Sequence, residues 1–445
     1  MTESTELPTP LAYEPVGTRP ARDLGLAARL SVMMLLQYAV WGLWMPILAI
    51  YLGAGVDKGG LGFTQGQIGW IMGLAGSLGA VSAPFIAGQV ADRIMNAEKA
   101  LAILLIVGGG LNVALARTHE FTPFLLLSIV YSIVYMPTLS LTNSICFQNL
   151  ADPEKQFPPV RLWGTIGWMV ASFGFGWLWL NSADKTVNTM RMADALTVSG
   201  VLSVAYGVYA LIGLPKTPPK PNSRHPFAFL EAFSLLKVPA FLVVTLVALP
   251  VAMIHQVYFF RAGPFFVNAI GVSEQWVPGV MAIGQLSEIF FLLILGQILK
   301  RTGYKGVLML GCLAYALRFG IFAIGTPPGL IIASQALHGL CYGCFFAGSF
   351  LLVEKIAGAS IRHSAQTVFG IIILGVGPIM AGFYNQLLLS GLFDVKDGPT
   401  NYHGVWAVQS GVAVLAMLAL AVAFHYKPPR AEETTAAEHH EGRLS

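Results

Sequence analysis

Of the 22 acidic residues in this 445-residue sequence, one, Glu288, lies near the middle of a long apolar run. A carboxylate there loses its water at a cost of several kcal/mol unless it takes up a proton, meets a cation or faces an aqueous cavity. Gln285 stands three residues earlier, on the same helical face. An amide beside an acid can bind a hydroxyl-bearing solute and carry a proton. Arg318, the basic residue at mid-depth in the next run, offers the competing arrangement, a structural bond to Glu288. The two are compatible, because an ion pair that exchanges with a proton is also a coupling device. Gln335, His338 and Tyr342 follow at i, i+3 and i+7, with Phe345 or Phe346 one turn on. Such a stripe suits a flat base with donors and acceptors on its edge, and plain helix packing is the alternative. His338 is a second candidate for moving a proton, since imidazole titrates near neutrality.

Other polar groups interrupt apolar runs. Arg161 and Thr165 are four residues apart, one above the other at the start of a run, where Arg161 is also placed to anchor a helix end. His255 and Gln256 are adjacent, so they face about 100° apart and cannot point equally well into one cavity. Gln37, Tyr38, Trp41 and Asn143 are lesser cavity candidates. No Cys, His and Asp share a depth at which they would cooperate, so these groups describe binding and proton transfer rather than covalent catalysis. No cofactor or metal is implied. The Cys341-Tyr-Gly-Cys344 spacing resembles a redox pair, but it sits deep in an apolar run, and with Cys146 and Cys312 it is expected to be small buried packing. No phosphate-loop string occurs.

The elements that must carry these residues are membrane helices. Asp, Glu, Lys and Arg make up 11% of the chain, against about 25% in soluble proteins, and the hydrophobic share is 55%. So few charges cannot cover a water-exposed surface, which excludes a soluble enzyme, a nucleic-acid binder and a disordered scaffold. Apolar stretches of about 20 residues, the length that crosses a bilayer, are expected near 28–52, 67–91, 99–116, 121–146, 161–182, 194–214, 239–260, 274–299, 306–325, 329–353, 365–390 and 404–426. That predicts an all-α polytopic membrane protein with twelve transmembrane helices. With the amino terminus inside, nineteen Lys and Arg fall on the cytoplasmic side and six outside, while Arg318 is left mid-span. This bias places both termini in the cytoplasm.

The longest polar interruption, 215–238, opens Pro215-Lys216-Thr217-Pro218-Pro219-Lys220-Pro221 and divides the chain. Its Pro density predicts an extended start, followed by a short surface helix from Phe227 to Leu236. The expected organisation is a cytoplasmic tail over 1–27, a six-helix half over 28–214, a cytoplasmic linker over 215–238, a second half over 239–426 and a tail over 427–445. The halves echo each other: Gly88-Gln89-Val90-Ala91-Asp92-Arg93 ends the second span and Gly296-Gln297-Ile298-Leu299-Lys300-Arg301 the eighth, 208 residues on. Arg161 to Thr165 and Arg362 to Thr367 open the fifth and eleventh. Two parallel-repeated halves describe a transporter whose site lies between them near the bilayer midplane. Gly73, Gly76 and Gly79, and Gly370, Gly375 and Gly377 with Pro378, form small-residue faces that let helices approach closely, slide or bend.

The Gly88-x-x-x-Asp92-Arg93 string resembles the loop signature of the major facilitator superfamily. More narrowly, the chain resembles that superfamily's nucleoside:proton symporter family. The likeness is carried by Tyr135-Met136-Pro137-Thr138-Leu139, Phe157-Pro158-Pro159-Val160-Arg161-Leu162-Trp163-Gly164-Thr165-Ile166-Gly167, Gln285-Leu286-Ser287-Glu288, Leu317-Arg318-Phe319 and Val353-Glu354-Lys355, over residues 30 to 425. The resemblance implies the major facilitator fold and a cytoplasmic latch at Asp92 and Arg93, which Lys300 leaves without a counterpart in the second half. It implies substrate contacts from Arg161, Thr165, Gln285 and Glu288, with Gln256 matching the family's amide on the seventh span and His255 turned elsewhere. Two positions depart from the pattern: Phe259 stands where the family has an asparagine, and Gly343 where members often carry an acid. Proton coupling is then left to Glu288 or His338.

The function these expectations favour is import of nucleosides by proton symport through alternating access, with protons and a small polar substrate as partners and the lipid bilayer as solvent. A monomer in a bacterial inner membrane is expected. Sugars use the same amides and carboxylates, so a sugar transporter is the alternative; a non-transporting receptor would need neither a cavity nor Glu288.

Overall fold

The computed structural model describes residues 23–93, 95–219, 233–395 and 398–426. No β-strand occurs among them. The helices are α1 Leu24–Gly53, α2 over 65–93, α3 Ala97–Leu115, α4 Phe121–Asn149, α5 Pro153–Trp179, α6 Lys185–Gly213 and α7 Pro239–Asn268. Then come α8 and α9, the two arms of Val277–Ile324, followed by α10 Pro328–Ala357, α11 Ala365–Phe393 and α12 Tyr402–Ala423. Among the described residues, nine helices are long and apolar enough to cross a membrane, counting Glu274–Ile324 as one and leaving out α2 and α5.

Local chemistry sets the helix ends. Asp23 caps α1 by accepting from the Leu26 amide at 3.0 Å, and α1 bends at Leu43–Trp44, just before Pro46, which has no amide hydrogen to continue the ladder. Thr64 and Gln67 form a reciprocal capping box at the start of α2. Between α8 and α9 the chain turns at Gly303, where φ 66° and ψ 176° suit only glycine.

Two expectations about the elements are corrected. α5 starts at Pro153, capped by Asp152, so Pro158 and Pro159 lie inside the helix and Arg161 sits two turns in rather than at a span edge. α7 runs on to Asn268, and Arg261, expected as an outer-loop cation, is fully buried and paired with Asp394 at 2.8 Å. The start of the linker is tied to α3: Thr217 donates its amide to Glu98 at 2.9 Å and its carbonyl accepts from Ala97. The expected helix at 227–236 falls largely outside the described residues, with a 3₁₀ turn at Phe233–Lys237. The terminal tails also lie outside them.

Helices before residue 214 pack in the pairs α1–α5, α2–α4 and α3–α6. Those after 239 repeat the pattern as α7–α11, α8–α10 and α9–α12. The last pair is fixed by Ser410 donating to the Ala316 carbonyl at 2.8 Å and Lys305 to that of Ala421 at 2.6 Å. The two groups meet most closely at the end that holds the α1–α2 loop. There a side chain added at Gly69 would meet Asn385 at 2.6 Å, and one at Gly73 would meet the Pro378 carbonyl at 2.8 Å. Asn385 also donates to the Gln65 carbonyl at 2.5 Å. α2, α10 and α11 each contain a π-helical stretch, Trp70–Ala75, Cys341–Ala347 and Ile372–Val376, and all three line the space enclosed between the groups. Such turns widen a helix locally and leave backbone groups free to adjust.

Candidate substrate-binding cavity

A cavity of about 450 Å³ lies between the two groups of helices. Both contribute to it: Tyr38, Trp41, Arg161 and Thr165 from one side, and Gln256, Gln285, Glu288, His338 and Tyr342 from the other. Volumes of this order suit a small organic solute.

Arg161 extends over the Tyr38 ring, its guanidinium carbon 4.1 Å from the ring centre. This cation–π contact depends on Gly164, because a side chain there would lie 2.6 Å from the Tyr38 ring and 2.8 Å from Arg161 Nη1. Thr165 lines the cavity beyond it, whereas Trp163 is exposed. Opposite, Arg161 is the cation whose field acts on Glu288, and both act on Tyr342. α8 and α10 come together through glycines: Gly339 packs on the Ser287–Glu288 backbone and donates its amide to Ser287 Oγ at 2.9 Å, while Gly284 leaves room for His338. That approach sets the α10 stripe beside Gln285 and Glu288. Gln285 Oε1 is buried with no hydrogen-bond partner among the described residues.

Arg318 does not pair with Glu288. It is fully buried and donates to Gln335 Oε1 and, at 2.9 Å, to His338 Nδ1, with its guanidinium 4.0 Å above the Tyr258 ring. Tyr258 also donates to Gln335 Oε1, at 3.1 Å. Because guanidinium only donates, His338 Nδ1 must accept, which puts the imidazole proton on Nε2. His338 stacks on His255, with centroids 5.5 Å apart and planes at 16°. His255 itself lines the cavity and bonds Tyr315 through Nδ1 at 2.6 Å.

The structure therefore brings Arg161, Thr165, Gln256, Gln285, Glu288, His338 and Tyr342 to one cavity and leaves three expected residues out of its lining. Gln335 is fully buried behind His338, committed to Arg318 and Tyr258. Gln37 is fully buried too, donating to Thr138 at 2.7 Å. Asn143 is half-buried and off the cavity. Gln256, although in the lining, spends its amide on the Met72 carbonyl of α2 at 2.9 Å. His255, expected to turn away, faces the cavity. Asp92 and Arg93 close α2, and their side chains lie outside what the structure describes. Trp44, Asn112 and Tyr131 also line the cavity and were not anticipated, although an Asn inside an apolar run is the desolvation signal that singled out Glu288. Phe259 occupies the lining at the position expected to lack an amide. The four cysteines are buried and free.

Comparison with known proteins places this geometry. The profile of the family described as Nucleoside H+ symporter matches residues 24–429. YegT of Escherichia coli (strain K12) is 32% identical over 407 residues, 88% of this chain and 92% of that one. The xanthosine permease of the same organism is 29% identical, covering 91% of this chain and 97% of the relative. The crystal structure of nucleoside transporter NupG superposes with a TM-score of 0.77 at 28% identity, over 90% of this chain and all of that one. The fold is that of the major facilitator superfamily, the chain is a multi-pass membrane transporter and not an enzyme, and it belongs to the nucleoside H+ symporter family.

Proposed function

We propose that the chain imports nucleosides together with protons, holding the substrate in the cavity between its two halves and exposing that cavity to each side in turn. The observation that carries this is the cavity shared by both halves, with one acid, Glu288, facing one cation, Arg161, among its described lining residues, beside the aromatic wall of Tyr342, Phe346 and His255. On this reading Arg161, Thr165 and Gln285 bind polar groups of the solute, and Tyr342 and Phe346 flank its base. Gln256 acts through the bond it makes to α2, and Gln335 positions His338 rather than touching substrate. Gln37 and Asn143 have no direct part. Glu288 carries the proton, because a second proton on His338 would have to sit on the nitrogen that faces Arg318. Asp92 and Arg93 would latch the cytoplasmic end.

The same proposal covers the layout. Twelve crossings are supported by the length of Glu274–Ile324: its 51 residues would extend about 76 Å if straight, more than twice a hydrocarbon core of about 30 Å. Turned at Gly303 it supplies two crossings, and α2 and α5 supply the other two beyond the apolar count. The halves are then 28–214 and 239–426, joined by 215–238, in a monomer of the bacterial inner membrane with both termini cytoplasmic. Single cysteines at Lys220 and Lys396 test the orientation and should label from opposite faces of intact cells; labelling of both from outside would overturn it.

The function is tested by uptake into proteoliposomes containing the purified protein, with and without an inward proton gradient, under competition from nucleosides and sugars. Nucleosides should compete and the gradient should drive accumulation above equilibrium. Competition by sugars alone would remove the nucleoside assignment, and accumulation indifferent to the gradient would remove the proton.

A further inference from the structure

At the closed end of the cavity stand three polar side chains that the site above does not use. Trp44 lies six residues beyond Tyr38 on α1, about 9 Å along the axis, and Tyr131 one turn before Tyr135 on α4. Asn112 comes from α3. All three line the cavity. Asn112 is fully buried and Tyr131 is 6% exposed. The Tyr131 hydroxyl lies within loose hydrogen-bonding reach of Asn112 and Trp44, yet Asn112 Oδ1, Trp44 Nε1 and Tyr131 Oη are all buried and none makes a hydrogen bond of good geometry among the described residues.

Their orientations are fixed from behind. Ser199 donates its one hydroxyl hydrogen to the Val40 carbonyl at 2.7 Å, so it can only accept from Asn112 Nδ2, at 2.9 Å. The amide oxygen is thereby aimed at the cluster. Tyr131 is held by stacking on Tyr135, with centroids 5.3 Å apart, and by the edge of Trp44 at 6.1 Å. The cluster thus offers one obligate donor, one obligate acceptor and one hydroxyl that can do either. Arg161 and Glu288, the cavity's Arg and Glu, lie toward its other end, so no ionised carboxylate, guanidinium or ammonium lines this one. Buried polar atoms in native proteins are almost always satisfied, and the complement to this trio is a neutral hydroxyl. The spacing from the Arg161–Tyr38 stack matches the length of one small solute.

We propose that Trp44, Asn112 and Tyr131 form a second polar subsite that takes a hydroxyl of the transported solute, which makes it a sugar hydroxyl of the nucleoside. This rests on the nucleoside assignment above. It sets the solute with its sugar toward the closed end and its base toward His255, Tyr342 and Phe346. A resident water would have the same chemistry, and the experiment separates the two.

Affinities of purified wild type, Tyr131→Phe and Asn112→Ala are measured for uridine or adenosine, whichever binds tighter, and for its 2′-, 3′- and 5′-deoxy analogues. Thermal melts check that each variant is folded, and Tyr131→Phe removes only one oxygen. In wild type, one deoxy analogue should bind about three- to tenfold more weakly than its parent. In both variants that gap should close, while the gaps for the other two analogues stay as they were. A wild type indifferent to every hydroxyl, a gap that persists in both variants, or a uniform loss across all four ligands would mean water fills the cluster and would overturn the subsite alone. If wild type binds neither nucleoside, the nucleoside assignment falls and the subsite with it.

Discussion

Glu288 has no bond to Arg318, so replacing its carboxylate tests the proposed proton carrier without stranding a buried guanidinium. Glu288→Gln keeps shape and most hydrogen-bonding capacity. It should abolish gradient-driven accumulation while leaving residual exchange that no longer changes between two pH values, and its melting temperature should stay near wild type. Full accumulation in that variant would take Glu288 out of the mechanism. The residues facing the cavity were legible because each is a polar group in an apolar run, and such a group must find compensation. What the sequence does not reveal is who provides it. Gln37 and Gln335 incur the same desolvation as Gln285, but Gln37 Nε2 donates to Thr138 and Gln335 Oε1 accepts from Arg318 and Tyr258, which holds both away from the cavity while Gln37 Oε1 and Gln335 Nε2 stay without a partner among the described residues. Gln285 differs in lining the cavity, with its oxygen buried and unpartnered among the described residues. Arg318 stands out in sequence as a mid-span cation, but the competing arrangement that bonds it to Glu288 is not the one adopted, since the distance between neighbouring helices cannot be read from one chain.

Elements were recoverable wherever apolar length alone decides them, and misplaced where capping or proline chemistry does. α5 begins eight residues early because Asp152 and Pro153 make a sound helix start, and two prolines in the following turns do not stop it. α8 and α9 are expected as separate spans with a break at 299–306, and the one non-helical residue, Gly303, falls inside it, with helical backbone on both sides. Gly303 has φ 66° and ψ 176°, a region that costs a residue with a side chain about 1–3 kcal/mol. Gly303→Ala should therefore lower stability by about that amount in detergent unfolding, with binding affinity unchanged because the residues of these arms that line the cavity, Gln285 and Glu288, lie well before Gly303 in the chain. A variant as stable as wild type would mean the turn tolerates a side chain. The π-helical stretches had no sequence signature that distinguishes them from ordinary helix, yet they bring Met72, Tyr342 and Ile373 to the cavity wall.

In the whole molecule, the two halves are held at one end by bonds that cross between them. Arg261, neutralised by Asp394, also donates to Asn385 Oδ1 at 2.7 Å, and Asn385 then donates to the Gln65 carbonyl. Gln256 donates to the Met72 carbonyl. Asn385→Ala should loosen that end, raising the labelling rate of a cysteine placed at Asp57 and shifting the population toward the opposite-facing state, which the same cysteine would report as unchanged labelling if the bond is incidental. The repeated pairing of helices follows from the internal echo in sequence; this latch does not, because its acceptors are main-chain oxygens and leave no trace in residue type. Its consequence is genetic. Every side chain in the two cross-bonds belongs to the second half, so a saturation library should find Asn385 and Gln256 intolerant. Gln65 should accept most replacements that preserve the helix, since any residue there supplies the same carbonyl. Variation among working alleles would then be lopsided, one face of a single contact free to drift while the other is held.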